Sequence, residues 1–153
     1  MKVEYINPFI KATTSVLKQI ANIDFNMGKP YIKTSPYETK NLIILVGITG
    51  EMRGQAAISM DLNLAKKIAS SMMMGMPVDE LDELSKSAIS ELGNMIMGNT
   101  ATLLFNTGVS IDITPPTLMI GESVSMSSGS MQTVGVPLTS EIGDISLDIS
   151  IKD

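Results

Sequence analysis

The chain contains no cysteine, no histidine and no tryptophan. Without cysteine, disulfides and thiol nucleophiles are excluded. Without histidine, a Ser-His-Asp triad, a histidine-ligated zinc ion and the commonest general base are excluded as well. Any reaction must therefore run on carboxylates, amides, hydroxyls, lysine or groups brought by a second protein. Cations are also sparse, with 11 Lys and Arg against 16 Asp and Glu and a net charge of −5. They are scattered, Lys66-Lys67 being the one adjacent pair, so no basic patch points to nucleic acid or to an anionic membrane surface. The first residues, Met1 to Lys11, lack the continuous apolar stretch of a signal peptide. No apolar run approaches the roughly 18 residues that span a bilayer. These absences lead us to expect a cytoplasmic protein.

What the chain does have is a large apolar fraction, 44% over 153 residues, enough for the core of about one domain. We expect a single domain over residues 1–153. Ile6, Phe9, Ile10, Thr13, Leu17 and Ile20 follow helical spacing and predict a helix over 4–22, with Pro8 better suited to its first turn than to its interior. Residues 26–36 look extended. Residues 41–49 and 54–60 read as two strands of a hairpin about Gly50–Arg53. A second helix is expected over 62–75, capped by Asp61 or Asn63. A long one follows over 79–106, with Asp79, Glu80, Asp82 and Glu83 favoured by the dipole at its start and Gly108 as its stop. Further strands are expected near 109–114, 117–121, 131–138 and 142–151, with Ser125–Ser130 a flexible loop. The fold class is thus α+β, an antiparallel sheet with long helices packed on it.

The long helix carries two unlike polar residues one turn apart, Glu91 and Asn94. At about 100° per residue, Ser87, Glu91, Asn94, Gly98, Ala101 and Phe105 fall on one stripe. Ala88, Ile89, Leu92, Ile96 and Leu103 fall on another, which reads as the core side. The Glu/Asn stripe is therefore expected at the surface, yet it lacks the Lys and Arg of a solvated face. The small residues beside it would let another backbone approach.

The chain also repeats itself. Asn26, Gly28, Thr34 and Pro36 recur as Asn106, Gly108, Thr114 and Pro116 with a constant offset, and Thr49-Gly-Glu51 recurs as Thr139-Ser-Glu141. This suggests an internal pseudo-twofold repeat, each half a helix followed by antiparallel strands. At the offset of the first match, Glu91 corresponds to Lys11 and Asn94 to Thr14. One half alone carries the pair, which favours a functional role over a role in folding.

A Ser-x-x-x-Glu-x-x-Asn pattern on a helix with a proline well beyond it, here Ser87, Glu91, Asn94 and Pro116, resembles the CheC/CheX/FliY family of chemotaxis phosphatases. The spacing to Pro116 is one residue shorter than the family's usual form. One motif copy and no long extension look most like the CheX branch, since CheC generally carries two copies and FliY adds a flagellar switch domain.

The resemblance implies a hydrolase that removes the phosphoryl group from the aspartyl phosphate of the response regulator CheY. It implies that Asn94 orients the attacking water, that Glu91 pairs with the regulator's active-site lysine, and that Ser87, Gly98 and Ala101 face the partner. No metal or cofactor is expected on this chain. Mg²⁺ is expected in the regulator's site, and a homodimer is expected. The competing reading is a non-enzymatic adaptor for the phosphorylated regulator or for a flagellar switch component.

On spacing alone a Glu-x-x-Asn pair is an ordinary helix surface. Its small neighbours, its absence from the first half and the resemblance outweigh that. Ser87 reads as a helix-face spacer, because no base is at hand to activate it. Met72–Met76 reads as adaptable core or interface, and Asp79–Glu83 as capping residues rather than a metal site.

Overall fold

The computed structural model describes residues 2–152. The predicted hairpin is present as β4 (Leu42–Gly50) and β5 (Arg53–Met60), antiparallel, with Ile44 opposite Ile58 and Val46 opposite Ala56. Beside β5 lies β10 (Ile145–Lys152), with Leu147 opposite Ile58. On the far side of β10 lies β9 (Gln132–Thr139). Short strands close both ends. β1 (Asn26–Met27) and β2 (Tyr31–Lys33) pair with β9, and β6 (Ile111–Ile113) and β7 (Thr117–Ile120) pair with β4. All eight strands are antiparallel to their neighbours.

Side chains alternate across a strand. Leu42, Ile44, Val46 and Ile48, Ala56, Ile58 and Met60, and Ile145, Leu147, Ile149 and Ile151 all join one hydrophobic core. Three helices cover that face: α1 (Val3–Ala21), α2 (Leu62–Met72) and α3 (Glu83–Asn106). The α+β architecture expected from the sequence is the one observed.

Helix α1 contributes Ile6, Phe9, Val16 and Leu17 to the core. It ends where Asn22 turns left-handed (φ 52°) and the Ile23 N–H returns to the Leu17 carbonyl, closing the last turn. Pro8 sits inside the helix, beyond its first turn, and is itself buried.

Several boundaries differ from the expected ones. Helix α3 begins at Glu83, four residues later than predicted, because the Asp82 carboxylate accepts the Ser85 N–H (2.9 Å) and so caps the first turn there. The same hydrogen bonds from Ser85 hold the Asp82 carboxyl below its ordinary pKa. Asp79 and Glu80 therefore precede the helix. Helix α2 stops at Met72, where Met74 and Gly75 both adopt positive φ. Of the methionines that follow, Met74 and Met76 are exposed while Met72 packs on the core.

The segment read as a flexible Ser/Met/Gly loop overlaps β8 (Val124–Met126), which pairs with an unpredicted β3 (Tyr37–Thr39) in a separate two-stranded sheet. That pairing joins segments far apart in sequence, so no local pattern announces it. Finally, Ala88 and Leu103 are half-buried, whereas Met97, Thr100 and Leu104 lie in the core. Packing against α1 and α2 as well as the sheet widens the buried arc of α3.

Candidate functional site

Helix α3 is fixed along its inner face by Ile89, Leu92, Ile96, Met97 and Leu104, each 0% or 1% exposed. At Gly93 the helix lies tight against the sheet. A β-carbon there would stand 2.6 Å from Ile44 Cγ2 and 3.5 Å from Pro116 Cβ. Pro116 thus lies against the helix at the turn that carries the polar pair, just before β7. The resulting contact sets how far α3 stands from β4 and β7.

A groove of about 520 Å³ runs between α3 and β7. Ser87, Glu91 and Asn94 line it, all three exposed, joined by Glu83, Lys86 and Ser90 from the same helix. Leu118 and Ile120 of β7 form its apolar side, and Ile120 is 44% exposed. The structure therefore brings together the Ser, Glu and Asn of the sequence motif in one open feature. Gly98 and Ala101 are half-buried residues farther along the helix and do not line the groove. Lys86, Ser90, Leu118 and Ile120 were not singled out by sequence. The two β7 residues could not be, because only the tertiary fold sets that strand beside the helix.

The side chains of Glu91 and Asn94 make no hydrogen bond or ion pair among the described residues. One carboxylate, which accepts only, and one amide, which both donates and accepts, are offered outward from a rigid helix. A second hollow of about 520 Å³ lies by the end of α1 and the β9–β10 turn, lined by Asp24 and Glu141. There Asp24 is already engaged by Lys18 at 3.1 Å. The α3 groove is the one that holds the Glu91 and Asn94 pair of the sequence motif.

Residues 42–139 match the family model described as chemotaxis phosphatase CheX. The chain is 34% identical over 153 residues to the CheY-P phosphatase CheX of Thermotoga maritima, covering 99% of this chain and 98% of that one. A crystal structure of the CheX–CheY–BeF3–Mg²⁺ complex from Borrelia burgdorferi superposes with a TM-score of 0.82 at 31% identity, over 99% of this chain and 100% of that one. A CheC-like superfamily protein from Shewanella sp. PV-4 superposes with a TM-score of 0.90 at 27% identity over the whole of both chains.

Proposed function

This chain belongs to the CheX family of chemotaxis phosphatases, and on that premise we propose that it hydrolyses the aspartyl phosphate of a CheY-type response regulator. The observation that carries the reading is the pair of unengaged side chains, Glu91 and Asn94, one turn apart on the outer face of α3. A helix held along its whole inner face can insert that pair into a partner's site without deforming.

Aspartyl phosphate is a reactive mixed anhydride. Its hydrolysis needs a water in line with the leaving carboxylate and stabilisation of charge on the phosphoryl oxygens. The Asn94 amide accepts a hydrogen bond from that water, or donates to its oxygen, and holds it in line. A water–phosphorus bond forms as the bond to the aspartate oxygen breaks, leaving a free carboxylate and inorganic phosphate. No strong base is required, which suits a chain without histidine. Positioning of this kind contributes several kcal/mol to lowering a barrier. Glu91 pairs with the regulator's active-site lysine and fixes the register of the two proteins. Mg²⁺ belongs to the regulator's site, and the relative's complex with CheY contains that ion.

Ser87 serves as a small spacer at the head of the stripe, and Gly98 and Ala101 allow close approach farther along. The whole chain acts as one domain in the cytoplasm and works as a homodimer. Among the described residues no helix is long and apolar enough to cross a membrane.

The test is phosphate release from the purified phosphorylated regulator. Asn94→Ala is expected to abolish acceleration while leaving binding intact, and full activity of that variant would overturn the mechanism. Glu91→Ala is expected chiefly to weaken association. Binding by the wild type without faster phosphate loss would instead favour the adaptor reading.

A further inference from the structure

Lys86 is the single cation among the residues that line the α3 groove. It is half-buried in the groove wall, one turn before Ser90. A carboxylate three or four residues from a lysine on a helix can pair with it, a mildly stabilising contact. Asp82 and Glu83 are both at that spacing, Asp82 being taken up by the Ser85 cap, yet among the described residues Lys86 makes no ion pair within 4.0 Å and no side-chain hydrogen bond. The three ion pairs of the described residues involve Lys2, Lys18 and Lys33 instead. A charge left unneutralised beside two carboxylates of its own groove, Glu83 and Glu91, is placed for a partner that brings negative charge.

The position of Lys86 decides what kind of contact that is. Asn94 lies eight positions farther along the helix, a rise of about 12 Å. A lysine side chain does not cover that distance to a phosphorus atom that Asn94 addresses. Its reach ends on the rim around the phosphorylated site. A site that holds Mg²⁺ does so with carboxylate oxygens, so a regulator that carries the ion brings acidic side chains to this interface.

We infer that Lys86 is a docking residue for the acidic, phosphate-bearing face of the regulator, setting association and partner choice rather than the chemical step. This rests on the phosphatase reading above. It adds a second polarity to the interface. Glu91 meets a cation of the regulator, and Lys86 meets its anions, so the two charges together admit one orientation of the partner. A regulator without a carboxylate at the matching rim position would dock poorly even if phosphorylated.

The experiment measures kcat and KM for phosphate release and, separately, the Kd for the regulator loaded with beryllofluoride. Both are measured at ionic strengths of about 0.01 M and about 0.1 M, where the screening length falls from about 30 to about 10 Å. Lys86→Gln is expected to raise KM and Kd together about fivefold at the lower ionic strength, leave kcat unchanged and flatten the salt dependence. Lys86→Glu should exceed that effect, and Lys86→Arg should restore wild-type values.

The inference is overturned if Lys86→Gln matches the wild type in Kd and salt dependence, or if it lowers kcat with KM unchanged. Asn94→Ala run alongside keeps the two claims apart. Undiminished phosphate release in that variant overturns the water-positioning reading, while the Kd of the Lys86 variants still decides the docking role. Failure of the wild type to bind the loaded regulator overturns both.

Discussion

Lys33 Nζ lies 2.8 Å from Asp148 Oδ1, with the two side chains 9% and 0% exposed. The pair ties β2, at one edge of the sheet, to the middle of β10, on the sheet face opposite the helices. Lys33 also donates to Ser146 Oγ at 3.4 Å and lies 4.9 Å from the centre of the Tyr37 ring. Nearby, Thr133, Ser150 and Ser128 share buried hydroxyl contacts of 2.7 and 2.9 Å. The face of the sheet away from α3 thus carries a buried polar layer, and an ion pair holds that layer in place.

Removing one partner of a buried pair leaves an uncompensated charge. Lys33→Met is therefore predicted to cost about 3–5 kcal/mol. The loss depends on pH in a definite direction. Burial, only partly offset by Lys33, already raises the Asp148 pKa above its ordinary value. A carboxyl whose folded pKa is raised contributes stability that is full below the unfolded pKa and declines as pH rises through the folded one. Without Lys33 that upward pull is stronger. Urea unfolding should show a small deficit below the ordinary carboxylate range and a large one at neutral pH. A deficit independent of pH would mean that Asp148 does not sense Lys33.

Tyr37 reports on the same layer at the alkaline end. Burial, and then the charge of Asp148, push its phenol up to about 12. Because the folded pKa lies above the ordinary value near 10, the stabilising contribution is full below the unfolded pKa and is lost as pH rises through the folded one. Ultraviolet titration should show a late phenolate step from Tyr37. Tyr37→Phe should remove that step and flatten the alkaline fall in stability. If the late step survives in Tyr37→Phe, the assignment fails.

Gly93→Ala tests how α3 is placed. An alanine is a better helix former than glycine by about 1 kcal/mol, so an unconstrained site would gain. Here the new methyl would meet Ile44 Cγ2 at 2.6 Å, and Ile44 is fully buried and β-branched, so it cannot turn aside. Overpacking of this kind costs about 1–3 kcal/mol, and the variant should melt below wild type. Because Pro116 stands at 3.5 Å on the same side, the strain also pushes α3 from β7 and alters the groove. The expected result is lower phosphatase turnover per folded molecule, read by comparing thermal melts with initial rates.

These residues show where sequence reading reached and where it stopped. The stripe Ser87, Glu91 and Asn94 was legible because helical periodicity fixes which residues share a face, and all three line one groove. The β4–β5 hairpin was legible because its strands are adjacent in the chain and read as continuous apolar runs. The polar layer was not. Residues 145–151 alternate Ile, Ser, Leu, Asp, Ile, Ser, Ile, a pattern that reads as one buried face and one wet face. Asp148 and Ser150 are nevertheless buried, because a segment more than a hundred residues earlier folds over them. The late start of α3 and the β3–β8 pairing escaped for related reasons. One turns on a single cap side chain, the other on a contact remote in sequence. In the groove, Leu118 and Ile120 arrive from a strand whose place against α3 depends on the whole sheet order.

Gly98 gives the sharpest test of the outer face. It lies inside α3, where glycine costs about 1 kcal/mol relative to alanine, and a β-carbon built on it would meet nothing within 4 Å. No internal contact therefore requires glycine there, in contrast to Gly93 on the same helix. A glycine that serves no packing within the chain leaves open space on the outer face, which the proposed partner would fill as it approaches the stripe beyond Asn94. Gly98→Ala is predicted to raise stability by about 0.5–1 kcal/mol, seen as a higher melting temperature, with regulator binding weakened only modestly. Gly98→Leu should keep much of the helix gain but weaken binding severely, since its side chain projects into the space the partner would occupy. Stability and association should thus move in opposite directions at this one position. Undisturbed binding by Gly98→Leu would show that the partner does not reach past Asn94.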